Sequence, residues 1–289
     1  MTASIEIPGR IDLQTGHGGL RYAALRCNGA EAHVYLYGAH VLHYQPANQA
    51  PVLWQSQLSL FEPGKPIRGG IPLCWPWFGP HPSDSTQPGH GIARLTEWKP
   101  GSSKATESAT EITLRFPGSP VVDAALELTV ILSDTLTVTM TTRNGGSAAI
   151  PLSIAMHTYF AVSDIHEVSV TGLENSRYID MLLPGQPVLT QPGAITFTAQ
   201  TERRYIGTEQ TCTIVDPGLN RRIVIEKAGS RSTVVWNPWI EKAAAMPDFG
   251  NEEYLETVCV ETANCGPDTL TLAPGATHAM TARIRAEAL

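Results

Sequence analysis

The chain has 289 residues, with 20 Lys and Arg against 27 Asp and Glu, a net charge of −7. An acidic chain without a basic run argues against nucleic-acid and anionic-membrane partners, and no apolar stretch approaches the roughly 20 residues of a membrane helix. Its five cysteines, an odd number with no Cys-x-x-Cys pair, argue against a disulfide framework and a cysteine-based zinc site.

In chain order, the first eight residues lack the basic region and apolar core of a secretory leader, so a cytoplasmic protein is expected. The segment Lys65–Gly79 follows, with three prolines, three glycines, two tryptophans, Phe78 and Arg68. Proline removes backbone donors and glycine permits positive φ, so this is neither a helix nor a central strand. It is too apolar for a solvated linker. A rigid, partly buried loop presenting aromatic faces and one cation is expected, a surface suited to sugars and to anions. In the segment 88–98 glycines flank His90, so the backbone there can approach a ligand. If residues 91–95 are extended, Arg94 shares a face with Ile92 and projects from the sheet end.

Alternation of period two then dominates. It predicts strands over 110–116, 126–132 and 135–142, the last two joined as a hairpin through Ser133 and Asp134. In 151–161, read as one strand, Ser153, Ala155, His157 and Tyr159 share a face. His157 is either a core histidine bonded to a carbonyl or a general acid, since its ordinary pKa of about 6.5 allows proton donation near neutrality. Further strands are predicted over 194–198, 211–215, 222–227, 232–236, 256–262 and 277–285. In 201–205 Glu202 is either a surface charge or an acceptor for sugar hydroxyls. Trp236 and Trp239 either pack in the core or wall a pocket with Lys242 reaching in. The one helical candidate is a short stretch over 248–255. Glu261, near the end of its strand, is either solvated or a carboxylate base whose pKa partial burial raises.

With 25 Gly and 22 Pro there is little room for long helices. Many strands and frequent turns predict an all-β protein, a large antiparallel β-sandwich, as one domain over residues 1–289. His40 and His43 are three residues apart, but their loop offers no clear third ligand, so zinc has little support. The glycine patterns of nucleotide-binding loops and of esterase nucleophile elbows are absent.

Five segments in order resemble one family: 68–79, 90–94, 157–160, 236–239 and 258–261. Together they look like the glucose-6-phosphate 1-epimerases, or hexose-6-phosphate mutarotases, of the aldose 1-epimerase group, from about residue 30 onward. The resemblance implies a galactose mutarotase-like sandwich that interconverts the α and β anomers of a hexose 6-phosphate without metal or organic cofactor. It implies that His157 is the general acid and Glu261 the general base, and that Arg68 and Arg94 bind substrate and hold its phosphate. His90 resembles the substrate-binding histidine of the wider group. Glu202 stands where an aspartate is usual in an Asp-Arg-x-Tyr motif, and Gly89 where some relatives carry glutamine.

Anomer exchange opens the C1–O5 bond, so a base must take the C1 hydroxyl proton and an acid must protonate the ring oxygen. Paired arginines gripping the far end would leave C1 free to turn and, being poorly satisfied when empty, would select for phosphate. The expected partner is a small-molecule sugar phosphate, bound by a monomer. Two alternatives are an aldose 1-epimerase for unphosphorylated sugars and a carbohydrate-binding module without catalysis.

Overall fold

The alternation in the sequence becomes one-sided burial. In the strand Ala124–Leu132, Leu126, Leu128, Val130 and Leu132 are buried while the residues between them reach solvent. Such a strand needs a second layer over its apolar face. A computed structural model describes residues 5–289, so residues 1–4 of the N-terminal stretch read above lie outside the described residues.

One eight-stranded sheet runs Ser169–Thr171, Cys212–Asp216, Arg221–Ala228, Thr277–Ala288, Leu136–Asn144, Ala124–Leu132, Thr110–Arg115 and Lys99–Ala105. The other runs Val188–Thr190, Arg177–Asp180, Thr201–Ile206, Ser232–Asn237, Thr257–Asn264, Ile154–Met156 and Leu73–Cys74, with Tyr159–Ala161 also pairing with Thr257–Asn264. A four-stranded sheet of Ile11–Thr15, Arg21–Cys27, Ala30–Tyr35 and His40–Gln45 stands beside them. Pairing within these sheets is antiparallel throughout. Leu128, Met140 and Ile284 of one large sheet share a buried cluster with Met156, Phe160 and Val260 of the other. The Trp75 indole Nε1 donates to Thr142 Oγ1 at 3.1 Å, tying the loop before residue 79 to the first sheet.

The hairpin forms as expected, with Leu132 opposite Leu136. Three local readings change. Residues 194–198 form no strand, only a bridge between Ile195 and Val170. The α-helix is Trp239–Ala244, not 248–255, where only a 3-10 turn, Glu253–Glu256, forms. The Glu253 carboxylate there is committed to the Gln57 and Gly250 N–H groups and the Ser56 hydroxyl. Arg94 lies in a 3-10 turn, Ala93–Leu95, rather than an extended run, so it does not share a strand face with Ile92.

Among the described residues no helix is long and apolar enough to cross a membrane. The loop over 65–79 is fixed by backbone contacts. Gly70 has φ +57, and a Cβ there would lie 2.4 Å from the Val41 carbonyl oxygen. Tyr159 N–H donates to Gly70 O, and His157 N–H to Pro72 O. The buried His40 Nε2 lies 2.8 Å from Gly69 O. Burial pulls the His40 pKa down to about 4 against the opposing pull of that carbonyl, so the neutral ring donates to it.

Candidate active site

The register of the second sheet lays polar side chains in two rows. Glu202 is opposite Trp236, Trp236 opposite Cys259, and Cys259 opposite Tyr159. Two residues along the strands, Arg204 is opposite Val234 and Val234 opposite Glu261. Residues two apart share a face, so the rows are neighbours about 7 Å apart. His157 joins the second row by a break in the backbone. The expected single strand over 151–161 is split into Ile150–Leu152, Ile154–Met156 and Tyr159–Ala161. At the split, the His157 ring stacks on Tyr159, with centroids 4.9 Å apart and planes 11° from parallel.

Glu202, Trp236 and Tyr159 of the first row and Val234, Glu261 and His157 of the second floor a cavity of about 300 Å³. Arg68, Phe78 and His90 wall it from the proline- and glycine-rich loops, and Lys242 and Met246 from the segment after Trp236. His157, Glu261, Arg68, His90, Glu202 and Trp236 thus border one space. Arg94 does not border it; its Nη2 donates to Gly89 O at 2.9 Å, and its Nε is buried without a partner. Trp239 turns away and packs on His166 and Tyr254.

His157 Nε2 and Glu261 Oε1 are 3.5 Å apart. Their other polar atoms, His157 Nδ1 and Glu261 Oε2, are buried and meet no hydrogen-bonding partner. The Glu261 side chain is only 1% exposed, yet it contributes to the cavity wall. Burial pushes the Glu261 pKa well up, helped by the Glu202 charge. Burial pushes the His157 pKa well down, helped by His90, Arg94 and Arg68. The pair therefore favours its uncharged form, a neutral imidazole beside a protonated carboxyl.

Arg68 is not the unsatisfied cation expected from the sequence. Its Nε and Nη2 donate to the Asp248 carboxylate at 3.0 to 3.2 Å, and its Nη1 donates to the Tyr159 hydroxyl at 2.8 Å. Burial opposes its charge, but Tyr159 and Asp248 outweigh burial and hold its pKa above the ordinary value. The pair carries no net charge, although a spare Nη1 hydrogen remains for a ligand.

His90 sits at φ +65, followed by Gly91 at φ +77, and its N–H donates to Gly79 O at 2.7 Å. Gly79 N–H donates to His90 Nδ1 at 3.4 Å. An accepting Nδ1 leaves the proton on Nε2, as a donor. Burial and the charges of Arg94, Arg68 and Arg204 pull the His90 pKa down to about 3, so the ring stays neutral.

Sequence reasoning missed Asp248, Met246 and Arg204. Asp248 meets Arg68 across 180 positions, and no local pattern announces that pairing. Arg204, in the same strand register as Glu261, lies over the Phe78 ring with its Nε unpartnered. Its alternation with Glu202 was the available signal.

Residues 24–285 match the family described as aldose 1-epimerase. A protein of Cenchrus ciliaris provisionally named a glucose-6-phosphate 1-epimerase is 35% identical over 261 residues, covering 84% of this chain and 78% of the relative. One from Escherichia coli (strain K12), with the same provisional name, is 34% identical over 236 residues, covering 79% and 78%. The crystal structure of a provisionally assigned mutarotase, YeaD, from Salmonella typhimurium superposes with a TM-score of 0.90 at 26% identity over 99% of this chain and 96% of that one. The chain belongs to the aldose 1-epimerase family.

Proposed function

We propose that this epimerase interconverts the α and β anomers of hexose 6-phosphates, with glucose 6-phosphate the leading substrate, and that His157 and Glu261 move the protons. The observation that carries this reading is the 3.5 Å approach of His157 Nε2 to Glu261 Oε1 at the wall of one cavity, each with its second polar atom unpartnered. Ring opening starts from imidazolium and carboxylate. Glu261 takes the proton of the C1 hydroxyl, His157 gives its proton to O5, and the C1–O5 bond breaks. What remains is an open-chain aldehyde beside neutral His157 and protonated Glu261. Closure on the other face of C1 runs the same transfers backward.

The environment suits both transfers. Burial makes Glu261 a stronger base and His157 a stronger acid than either is in water, so opening delivers the pair into the uncharged form that burial favours. In the charged starting form the imidazolium and the carboxylate stabilise each other across 3.5 Å. His90 Nε2–H and the Trp236 face are suited to hold the sugar hydroxyls and its apolar face.

NMR exchange on glucose 6-phosphate tests the reading. His157→Asn and Glu261→Gln are each expected to lower kcat about 10²- to 10⁴-fold while leaving substrate binding. Normal rates in both would reject the roles. A rival reading, an epimerase for unphosphorylated sugars, gains from the Arg68–Asp248 pair, which is satisfied without a phosphate. Equal kcat/KM on glucose and glucose 6-phosphate would favour it.

A further inference from the structure

We propose that the four-stranded sheet carries a second binding site, outside the catalytic cavity, for an uncharged saccharide. This sheet has one apolar face and one face of rings. Ala23 and Val34, opposite each other, are fully buried in the core. Tyr22, His33 and Tyr35 alternate with them and face the other way. Tyr22 lies opposite Tyr35, and His33 opposite His43. With His17 and Phe61 these side chains form an unbroken series of ring contacts, His17–Phe61–Tyr35–Tyr22–His33–His43, with centroids 4.7 to 5.9 Å apart. All but Phe61 border a cavity of about 410 Å³, joined there by Gln55. That cavity shares no lining residue with the catalytic one. Its volume is in the range of about 300–1,000 Å³ usual for small-molecule pockets.

The lining selects the ligand class. Among the described residues no Lys, Arg, Asp or Glu borders this cavity, so it offers no permanent charge to hold an anion or a cation. Arg26, on the neighbouring strand, is paired with Asp12 and Glu31, and Glu31 also accepts from His33 Nε2 at 2.8 Å. What remains is polar and neutral. The His17 and His43 imidazoles and the Gln55 amide have no hydrogen-bonding partner among the described residues. Burial, helped by His33, lowers the His43 pKa, so the ring is neutral at pH 7 and offers one donor and one acceptor. Sugar hydroxyls both donate and accept, and the C–H faces of a pyranose rest on rings. The planes of successive rings meet at 21° to 43°. They line a bowl, which fits a puckered ring, rather than the parallel-walled slot that a flat base requires.

The test uses methyl β-D-glucopyranoside and methyl β-maltoside on the intact chain. Their locked anomeric carbons cannot be turned over at the catalytic site. Saturation-transfer NMR should show both glycosides bound, with the ring C–H signals of His33 and His43 displaced. Tyr22→Ala is expected to raise the dissociation constant at least about tenfold, and Tyr22→Phe, which keeps the ring, less than about twofold. His43→Leu keeps bulk but removes both nitrogens, and should raise it about fivefold. His43 is half-buried, so this variant keeps the test decisive if thermal unfolding shows that Tyr22→Ala does not fold. Saturating glucose 6-phosphate and inorganic phosphate should each leave the bound glycoside in place. Absence of binding by both glycosides, unchanged affinity in His43→Leu, displacement by either phosphate, or tighter binding of adenosine than of either glycoside overturns the proposal. No turnover enters these measurements, so a protein that accelerates no anomer exchange would sink the catalytic reading and leave this one standing.

Discussion

Within the cavity, buried charge is handled by pairing where it is permanent and by leaving partners open where protons move. Arg68 and Asp248 illustrate the first case, with side chains 19% and 10% exposed and a two-point contact. Removing one partner strands the other. Asp248→Ala is expected to destabilise the protein by about 3 kcal/mol in urea unfolding. It should also depress the His157 pKa further, because the uncompensated Arg68 charge opposes the imidazolium. The acidic limb of the kcat/KM profile for glucose 6-phosphate reports that as a displacement to lower pH. His157 and Glu261 illustrate the second case. Their candidacy was legible in the sequence, because alternation put each on a polar face. Their 3.5 Å separation was not, since it depends on a backbone break after Met156 that period-two reading cannot supply.

At the scale of elements, long strands were readable and short irregular ones were not. The hairpin over 124–144 follows from alternation and a polar turn. The Trp239–Ala244 helix is six residues long and follows Pro238, so its sequence signal was small. Its entry is set instead by Asn237, whose amide bonds the Tyr254 and Thr257 carbonyls and accepts from Trp239 N–H. The glycine that follows His90 is similarly a matter of packing. A Cβ on Gly91 would lie 2.0 Å from the Trp75 carbonyl oxygen, at a φ of +77. That carbonyl accepts from Ile92 and Ala93 N–H, so it cannot withdraw freely. Gly91→Ala is expected to cost at least about 2 kcal/mol in thermal unfolding. It should also raise KM by displacing His90, an effect that a distant loop glycine such as Gly185, with open space around it, would not produce.

For the molecule as a whole, neutral buried histidines set the response to acid. Folded His40 and His90 remain unprotonated down to about pH 4 and 3, whereas in the unfolded chain they titrate near 6.5. The unfolded state therefore binds more protons below pH 6.5, and stability falls as pH drops through that window. Urea midpoints measured between pH 7 and 4 should decline, and His40→Gln should make the decline shallower. A steeper or unchanged slope in that variant would contradict the assignment. The C-terminal strand Thr277–Ala288 lies between Arg221–Ala228 and Leu136–Asn144, in the interior of its sheet rather than at an edge. Deleting it should abolish cooperative unfolding by circular dichroism. During translation its two flanking strands emerge first and must wait, unzipped, for residues 277–288 to leave the ribosome. The nascent chain thus carries an open seam until residues 277–288 emerge, and premature stops before them should yield insoluble fragments instead of trimmed enzymes.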